Sequence, residues 1–362
     1  MPEVWIPYGE VETLVSLQAE NSGTVVDPQP EKSSSETERL TEKVRRATGL
    51  FVCDTAPTTM ELLRELIPAT PSTDNPKVYG QNPKKVELAL PQLKGRVDRA
   101  VPPAGGAQFG EHLTSEGEKL FVGSARPDPF FGMVDARVSA CLNWVAGSAE
   151  AASQGRKDME PTPFERTGAY EAIDELASKI PDASFVTVIP RSGKVRSALE
   201  DAPFDAIKNG FFSTSVVPTK ALIVGAGGSG YDDTLSSALR SLWGALPCVR
   251  KAGVIMLLAE CSEGLGSRAL EMMVTGRIGG EGDKRREKHV PGLEEVHYLR
   301  QLKEDYSVLL LSGLPELYAK SKLGFTTAKG SGEALGRLLS RAGRTSKVNV
   351  VTRAAECRIS SA

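Results

Sequence analysis

One stretch constrains the fold of this chain more than any other. Lys220–Glu263, KALIVGAGGSGYDDTLSSALRSLWGALPCVRKAGVIMLLAECSE, reads as strand, glycine turn, helix, strand. Ala221 to Val224 is a short apolar run of the kind a buried parallel strand shows, and Gly225, Gly227, Gly228 and Gly230 follow where the chain must turn tightly. Leu235, Leu239, Leu242 and Trp243 then recur at helical spacing, with Asp232 or Asp233 placed to cap the helix and Gly244 with Pro247 to end it. Val254 to Ala259 is a second apolar strand. Two strands joined by a helical crossover make a βαβ unit, which binds ligands at the carboxyl ends of its strands.

The alternation continues to the C-terminus. Gly264 to Val274 reads as a glycine turn into a helix, Leu293 to Lys303 as a helix, Ser307 to Ser312 as a strand, Ser331 to Arg341 as a helix and Lys347 to Thr352 as a last strand. Before the central unit, Val4–Pro7 and Glu12–Leu17 form a hairpin around Tyr8-Gly9, and Asp27–Thr37 is a polar linker before a charged helix, Glu38–Ala47. Leu50–Cys53 is a buried-type strand that turns through Asp54-Thr55-Ala56-Pro57 into a helix with Thr58 as its N-cap. Pro68–Pro83 is loop-like, and the segment from Val86 to Gly110 carries only weak elements around a PPAGG turn at Pro102. Lys119–Gly123 is a strand, Asp135–Val145 a helix start, Gly155–Pro163 an exposed connection and Tyr170–Ile180 a helix. A hairpin through Arg191-Ser192-Gly193 and a helix from Pro203 to Phe211 complete the first half.

At 362 residues, 40% hydrophobic and 25% charged, the chain is long enough for two α/β domains with their own cores. A formal net charge of −2 gives no basic footprint for nucleic acid, and the charged run Gly279–His289 has no interleaved aromatics for base stacking. No apolar run reaches the roughly 20 residues of a membrane span, and MPEVWIPYGE lacks the basic start and apolar core of a signal peptide, so a cytoplasmic location is expected. The cysteines Cys53, Cys141, Cys248, Cys261 and Cys357 are scattered without C-x-x-C spacing and read as reduced and structural. Cys261, just past a strand end, is the exception to watch.

Gly225-x-Gly227-x-x-Gly230 formally fits a dinucleotide fingerprint. Against it, Asp232 and Asp233 in the first helical turn repel a phosphate, and Glu260 lies beyond the ~20-residue spacing of a ribose-binding acid. His112, His289 and His297 share no metal-binding spacing, and neither a G-x-S-x-G elbow nor a Walker loop is present.

The blocks, taken in order, resemble the nickel-pincer lactate racemase family. IPYGE is similar to the family's L-P-Y-G opening, FVCDTAPT (Phe51–Thr58) to its D-x-T-R-P turn and FVGSARPDPFFG (Phe121–Gly132) to the strand leading into H-F-F-A-G-F-S-G-G-x-K. GAGGSGYDD resembles the GGYPxD turn, and AGVIMLLAECSEGLGS the glycine-glycine strand followed by an acid-glycine-x-glycine loop. The resemblance implies two α/β domains with a cleft between them, the C-terminal one a doubly wound, Rossmann-like parallel sheet, and a hydroxyacid racemised at a nickel-pincer nucleotide. This chain departs from the pattern at the chemistry. Met133–Arg137, MVDAR, offers no lysine to carry the pincer, Pro129 stands where the family has a histidine, Ala56 where it has the carboxylate-binding arginine, and Arg240 where it has a lysine.

The expected boundaries are 1–214 for the N-terminal α/β domain, 215–346 for the C-terminal Rossmann-like one, and a final strand and tail, 347–362, that could return to the N-terminal domain. The expected cleft carries Asp54, Asp232 and Arg240 as catalytic candidates and Thr55, Arg126, Asp128, Gly227, Gly228, Glu260, Gly264 and Gly266 as substrate-binding ones. Arg126 or Arg240 would hold a small-molecule carboxylate and Asp232 would orient a hydroxyl. No metal and no cofactor are expected, the nickel-pincer nucleotide only if the family activity is retained; that would need other ligands, with His112 beside Cys53 or Cys261 as candidates. The alternatives are a diverged hydroxyacid racemase with an altered site, and a non-catalytic structural or regulatory protein, the structural form having its cleft filled by Phe130, Phe131 and Trp144.

Overall fold

The apolar runs fold into two six-stranded sheets in the computed structural model, which describes residues 2–31, 37–67, 76–100, 108–156, 158–278, 290 and 292–362. The PPAGG turn at Pro102, the charged run Gly279–His289 and parts of the Asp27–Thr37 and Pro68–Pro83 segments lie outside the described residues. The N-terminal sheet has the spatial order Lys194–Glu200, Ala183–Arg191, Lys119–Ser124, Gly49–Val52, Lys77–Gly80 and Val97–Arg99, with only the first pair antiparallel. The C-terminal sheet, Thr326–Thr327, Ser307–Leu311, Val249–Leu258, Thr219–Gly225, Val348–Val351 and Ser22–Val26, is parallel throughout. Covered on both faces, its middle strands carry apolar runs, ALIV in Thr219–Gly225, VIMLL in Val249–Leu258 and VLLL in Ser307–Leu311.

Both sheets are doubly wound. From Gly49–Val52 the N-terminal sheet grows outward through Lys77–Gly80, then reverses to Lys119–Ser124 on the other side. From Thr219–Gly225 the C-terminal sheet grows through Val249–Leu258 and Ser307–Leu311, while Val348–Val351 returns to its opposite side. Where the winding reverses, the loops at the carboxyl ends of the two central strands diverge and leave a crevice. One core joins the sheets, with Phe51, Phe121 and Trp144 in the same buried cluster as Val224, Leu239 and Ile255. Burying each such side chain stabilises the fold by about 1.5–3 kcal/mol relative to exposure.

Strand pairing departs from the expected boundaries at both ends of the chain. Ser22–Val26, placed by sequence in the first domain, pairs with Val348–Val351, and the opening hairpin packs Ile6, Val15 and Leu17 against Ala221, Ile223 and Val350 of the C-terminal sheet. The tail strand Cys357–Ser361 pairs with Phe212–Val216. Gly155–Pro163 is not simply exposed: it follows a helix, Ser148–Gly155, and Arg156 is buried, donating to the Phe130 and Glu160 carbonyls.

Two expected caps also differ. Thr58 makes no cap bond, because the helix Pro57–Leu66 starts with proline at its first position and the Thr58 hydroxyl turns toward Ser124 and Tyr231. Neither Asp232 nor Asp233 caps the helix Leu235–Trp243; Thr234 does, its hydroxyl accepting from Ser237 N at 3.2 Å. No helix among the described residues is long and apolar enough to cross a membrane.

Candidate functional site

The two switch points face each other. In the N-terminal sheet, the loop after Gly49–Val52 is fixed by Asp54, whose Oδ1 accepts from Ala56 N at 3.0 Å and from the Thr59 hydroxyl at 2.7 Å. Its Oδ2 accepts from Ser124 N, at the end of the neighbouring central strand, at 2.6 Å. Thr58 and Ser124 share a hydrogen bond of 2.9 Å, and Thr58 reaches the Tyr231 hydroxyl of the opposite glycine turn at 3.2 Å. Tyr231 is the hinge pin of this junction: it is 3% exposed, and Gly230 beside it lies so close to the N-terminal half that an added Cβ would stand 2.6 Å from the Ala56 Cα.

Along this junction a crevice of ≈ 660 Å³ opens. Gly227 and Gly228 form one wall, Pro57 and Thr58 another, and Ser192, Gly193 and Lys194 the rim from the N-terminal sheet. Arg353, the second residue after the strand Val348–Val351, lies on its floor. Arg353 Nη1 is 3.5 Å from the Gly227 carbonyl and 3.8 Å from Glu356 Oε1, a carboxylate already accepting from Ser192 N and Gly193 N. Its guanidinium therefore has most of its donors free of strong partners among the described residues. Sequence reading missed Arg353, Lys194 and Tyr231; Arg353 carries the same strand-end signal that singled out Glu260.

Arg240, expected to hold a carboxylate, is instead committed within the fold. Its Nη1 lies 3.1 Å from Asp128 Oδ2, and its Nε donates to Glu295 Oε1 at 3.0 Å. Burial pulls its proton affinity down, but the two carboxylates outweigh that and hold the guanidinium above its ordinary value. Asp128 is itself saturated, its Oδ1 accepting from Phe130 N and Phe131 N at 2.8 and 2.9 Å. Arg126 is the other expected cation. Its Nε is buried without a hydrogen-bond partner among the described residues, and burial together with nearby Arg240 lowers its proton affinity.

Asp232, expected to orient a ligand hydroxyl, is 0% exposed, and its Oδ2 accepts from Gly9 N at 2.9 Å and Glu260 N at 3.4 Å. It ties the opening hairpin and the loop after Val249–Leu258 to the glycine turn, and burial raises its carboxyl to about 6. Glu260 lies over Gly9, at the place a Cβ there would occupy. Thr55 stands half-buried at the head of the Asp54 turn. Gly264 borders a separate surface pocket of ≈ 460 Å³, and Gly266 a pocket of ≈ 290 Å³ beside Arg240. The structure thus brings Gly227 and Gly228 to the crevice and distributes the other expected residues around it.

Phe130, Phe131 and Trp144 are all buried; Phe130 and Phe131 line the Arg240 pocket, Trp144 packs against Phe51 and Phe121, and none of the three lines the crevice. Cys261 is buried, with its thiol pushed up first by burial and then by Asp232 and Glu260, which makes it inert rather than reactive.

The structure of the lactate racemase apoprotein from Thermoanaerobacterium thermosaccharolyticum is similar with a TM-score of 0.68 at 16% identity, over 99% of this chain and 100% of that one. The chain has a lactate-racemase-like fold. A Thermotoga maritima protein of known structure is similar at a TM-score of 0.55 and 11% identity, over 92% of this chain and 100% of that one. Neither a protein-family profile nor a curated protein sequence matches the chain.

In this racemase-like fold, the residues where the pincer would attach do not fit it. Met133 is fully buried, Asp135 caps the helix Ala136–Trp144 and accepts from the Tyr170 hydroxyl at 2.7 Å, and Arg137 donates to the Ala202 carbonyl at 2.7 Å. Met133–Arg137 contains no lysine to form the attachment. His112 stacks near Phe51 and Tyr79 beside a pocket at the amino ends of the strands, Cys53 is buried against Ala136, and Cys261 belongs to the other half, so the three do not converge. Among the described residues no group of three His, Cys, Asp or Glu side chains is placed to hold a metal.

Proposed function

We propose that this chain binds a small hydroxy- or carboxylic acid in the switch-point crevice and works without the nickel-pincer nucleotide. The observation that carries the reading is Arg353, a loosely paired guanidinium on the floor of a crevice built from both halves of the fold. A guanidinium offers a planar fork that matches a carboxylate, and it stays charged at any physiological pH. Gly227 and Gly228 let the ligand approach the backbone, while Thr58 and Tyr231 supply hydroxyls to an α-hydroxyl group. Lys194 at the rim adds attraction for an anion, and Glu10 and Glu12 on the facing hairpin limit the charge a ligand can carry.

The test is calorimetric titration of the purified chain with L-lactate, D-lactate and glycolate, against lactamide as the neutral control. Binding of the acids and not of lactamide, abolished by Arg353→Met, is the expected result. Equal binding of lactamide, or unchanged binding in Arg353→Met, would overturn it. The same sample, analysed for nickel and for intact mass, decides the cofactor: a bare chain mass is expected, and stoichiometric nickel or a heavier covalent species restores the racemase reading. Incubation with one lactate enantiomer, followed by chiral analysis, separates a binding protein from a diverged racemase.

A further inference from the structure

The pocket beside Arg240 has the opposite character to the crevice. It encloses ≈ 290 Å³ behind the Phe130–Phe131 pair, with Leu142 and Ala149 completing an apolar side. Its polar side is formed by Ser236, Arg240, Glu294 and Glu295. Glu295 is 6% exposed and uses only one oxygen: Oε1 accepts from the Ser236 hydroxyl at 2.6 Å and from Arg240, while Oε2 is buried with no partner among the described residues. A buried carboxylate oxygen left unpaired costs about 1–3 kcal/mol or more, so an acceptor of this kind is satisfied by a donor that enters the pocket.

The charges choose which donor. Arg240 is shared between Asp128 and Glu295, so its charge is already answered by two carboxylates before Glu294 is counted. Arg268, which also borders the pocket, is 60% exposed on its side chain and pairs with Glu271 at 3.0 Å. Arg126 is not among the residues that line the pocket, and the carboxylates of Asp54 and Asp128 act on it against the charge of Arg240. Glu294 is pushed up to about 7, first by burial and then against the pull of Arg240 by the neighbouring Glu295 charge. Two adjacent glutamates, one with an open oxygen and one strained toward the neutral form, face a cavity with no unpaired cation among the described residues that line it. An anion is repelled there, and a neutral hydroxyl satisfies only one of the two.

We propose that this pocket binds a small primary ammonium compound, its N–H groups donated to Glu295 Oε2 and Glu294 and its apolar body laid against Phe130, Phe131 and Leu142. At ≈ 290 Å³ the cavity sits at the lower end of ligand pockets, the size of one ring or a short chain. The ligand class is independent of the acid bound in the crevice, and this site stands or falls without it.

The probes are n-butylamine and benzylamine, with n-butanol, benzyl alcohol and benzoate as matched controls, titrated into the full chain near pH 8, where Glu294 is ionised. At least one amine is expected to bind at least about tenfold tighter than its alcohol, and benzoate not at all. Glu294→Gln is expected to weaken the amine without altering unfolding, and Ala149→Leu, which fills the apolar side and touches no charge, to abolish it. Glu295→Gln removes the buried partner of Arg240 and is read only alongside these two. Amines that bind no tighter than their alcohols, or binding that survives both Glu294→Gln and Ala149→Leu, would overturn the proposal. Loss of lactate binding in Arg353→Met leaves the amine result unchanged, so the two sites are tested separately.

Discussion

Arg240 Nη1 stands 3.1 Å from Asp128 Oδ2 across the boundary between the two halves of the fold, with Asp128 almost out of solvent and Arg240 largely so. The helix Leu235–Trp243 thereby grips the strand Arg126–Asp128 through charge as well as packing. Removing one partner of such a pair leaves the other charge buried and uncompensated, at a cost of about 3–5 kcal/mol. Arg240→Met is therefore expected to lower the urea midpoint sharply, whereas Arg353→Met, removing a loosely paired guanidinium, lowers it little. Equal, small losses in both would mean that Arg240 is available to a ligand after all.

Gly230 sets the distance between the halves. Its φ of +82° lies in the left-handed region, and a Cβ there would meet the Ala56 Cα at 2.6 Å and the Pro57 ring at 2.9 Å. Backbone strain of about 1 kcal/mol or more adds to the cost of pushing Pro57 away. Gly230→Ala is expected to destabilise by at least about 2 kcal/mol and to weaken acid binding, because the Thr58–Tyr231 contact opens with it. A variant with unchanged stability would show that the glycine turn does not bear on the helix Pro57–Leu66.

The Tyr231 hydroxyl makes that contact in a buried setting. Tyr231→Phe keeps the ring and removes one hydrogen bond, an expected loss of about 1 kcal/mol by chemical denaturation, with affinity for L-lactate falling more than affinity for acetate if the hydroxyl serves an α-hydroxyl group. Equal changes for both acids would assign Tyr231 a purely structural role.

Much of the fold is legible in the order of the residues alone. The parallel strands carry unbroken apolar runs because both faces are covered, and the glycine turn after Val224 marks the switch point of the C-terminal sheet. Pairing at long range is not legible in the same way. Ser22–Val26, SGTVV, is short and half polar, and nothing in it indicates that Val348–Val351 at the other end of the chain is its partner. Arg240 and Arg353 are both arginines near strand or helix ends; only the arrival of Asp128 and Glu295 distinguishes the committed one from the loosely paired one. Asp232 reads as a helix cap or a site acid for the same reason, because the hairpin that closes over it comes from the far end of the chain.

That closure makes Asp232 a pH-sensitive fastening. Burial raises its carboxyl from an ordinary 3.8 to about 6, the backbone N–H groups of Gly9 and Glu260 work against the rise, and the charges of Asp233 and Glu260 add to it. Tyr8, pushed up to about 12 by burial and by Cys261, Glu260 and Asp232, faces the same cluster, so no cation offsets the acid from the hairpin side among the described residues. Because the folded state holds this proton more tightly than the unfolded chain, the group's contribution to stability is complete below about pH 4 and is lost as pH rises through about 6. Each tenfold gain in proton affinity on folding is worth about 1.4 kcal/mol, so the loss amounts to about 3 kcal/mol. Asp232→Asn removes the titration while keeping an oxygen for Gly9 N and placing an uncharged amide at the unpartnered Oδ1 position. Measured by urea unfolding at intervals from about pH 4.5 to pH 8, the variant is expected to gain on the wild type steadily through this window and to be the more stable protein at the upper end. A stability difference that stays constant across the window would place the Asp232 proton affinity at its ordinary value and leave the junction without a titrating acid.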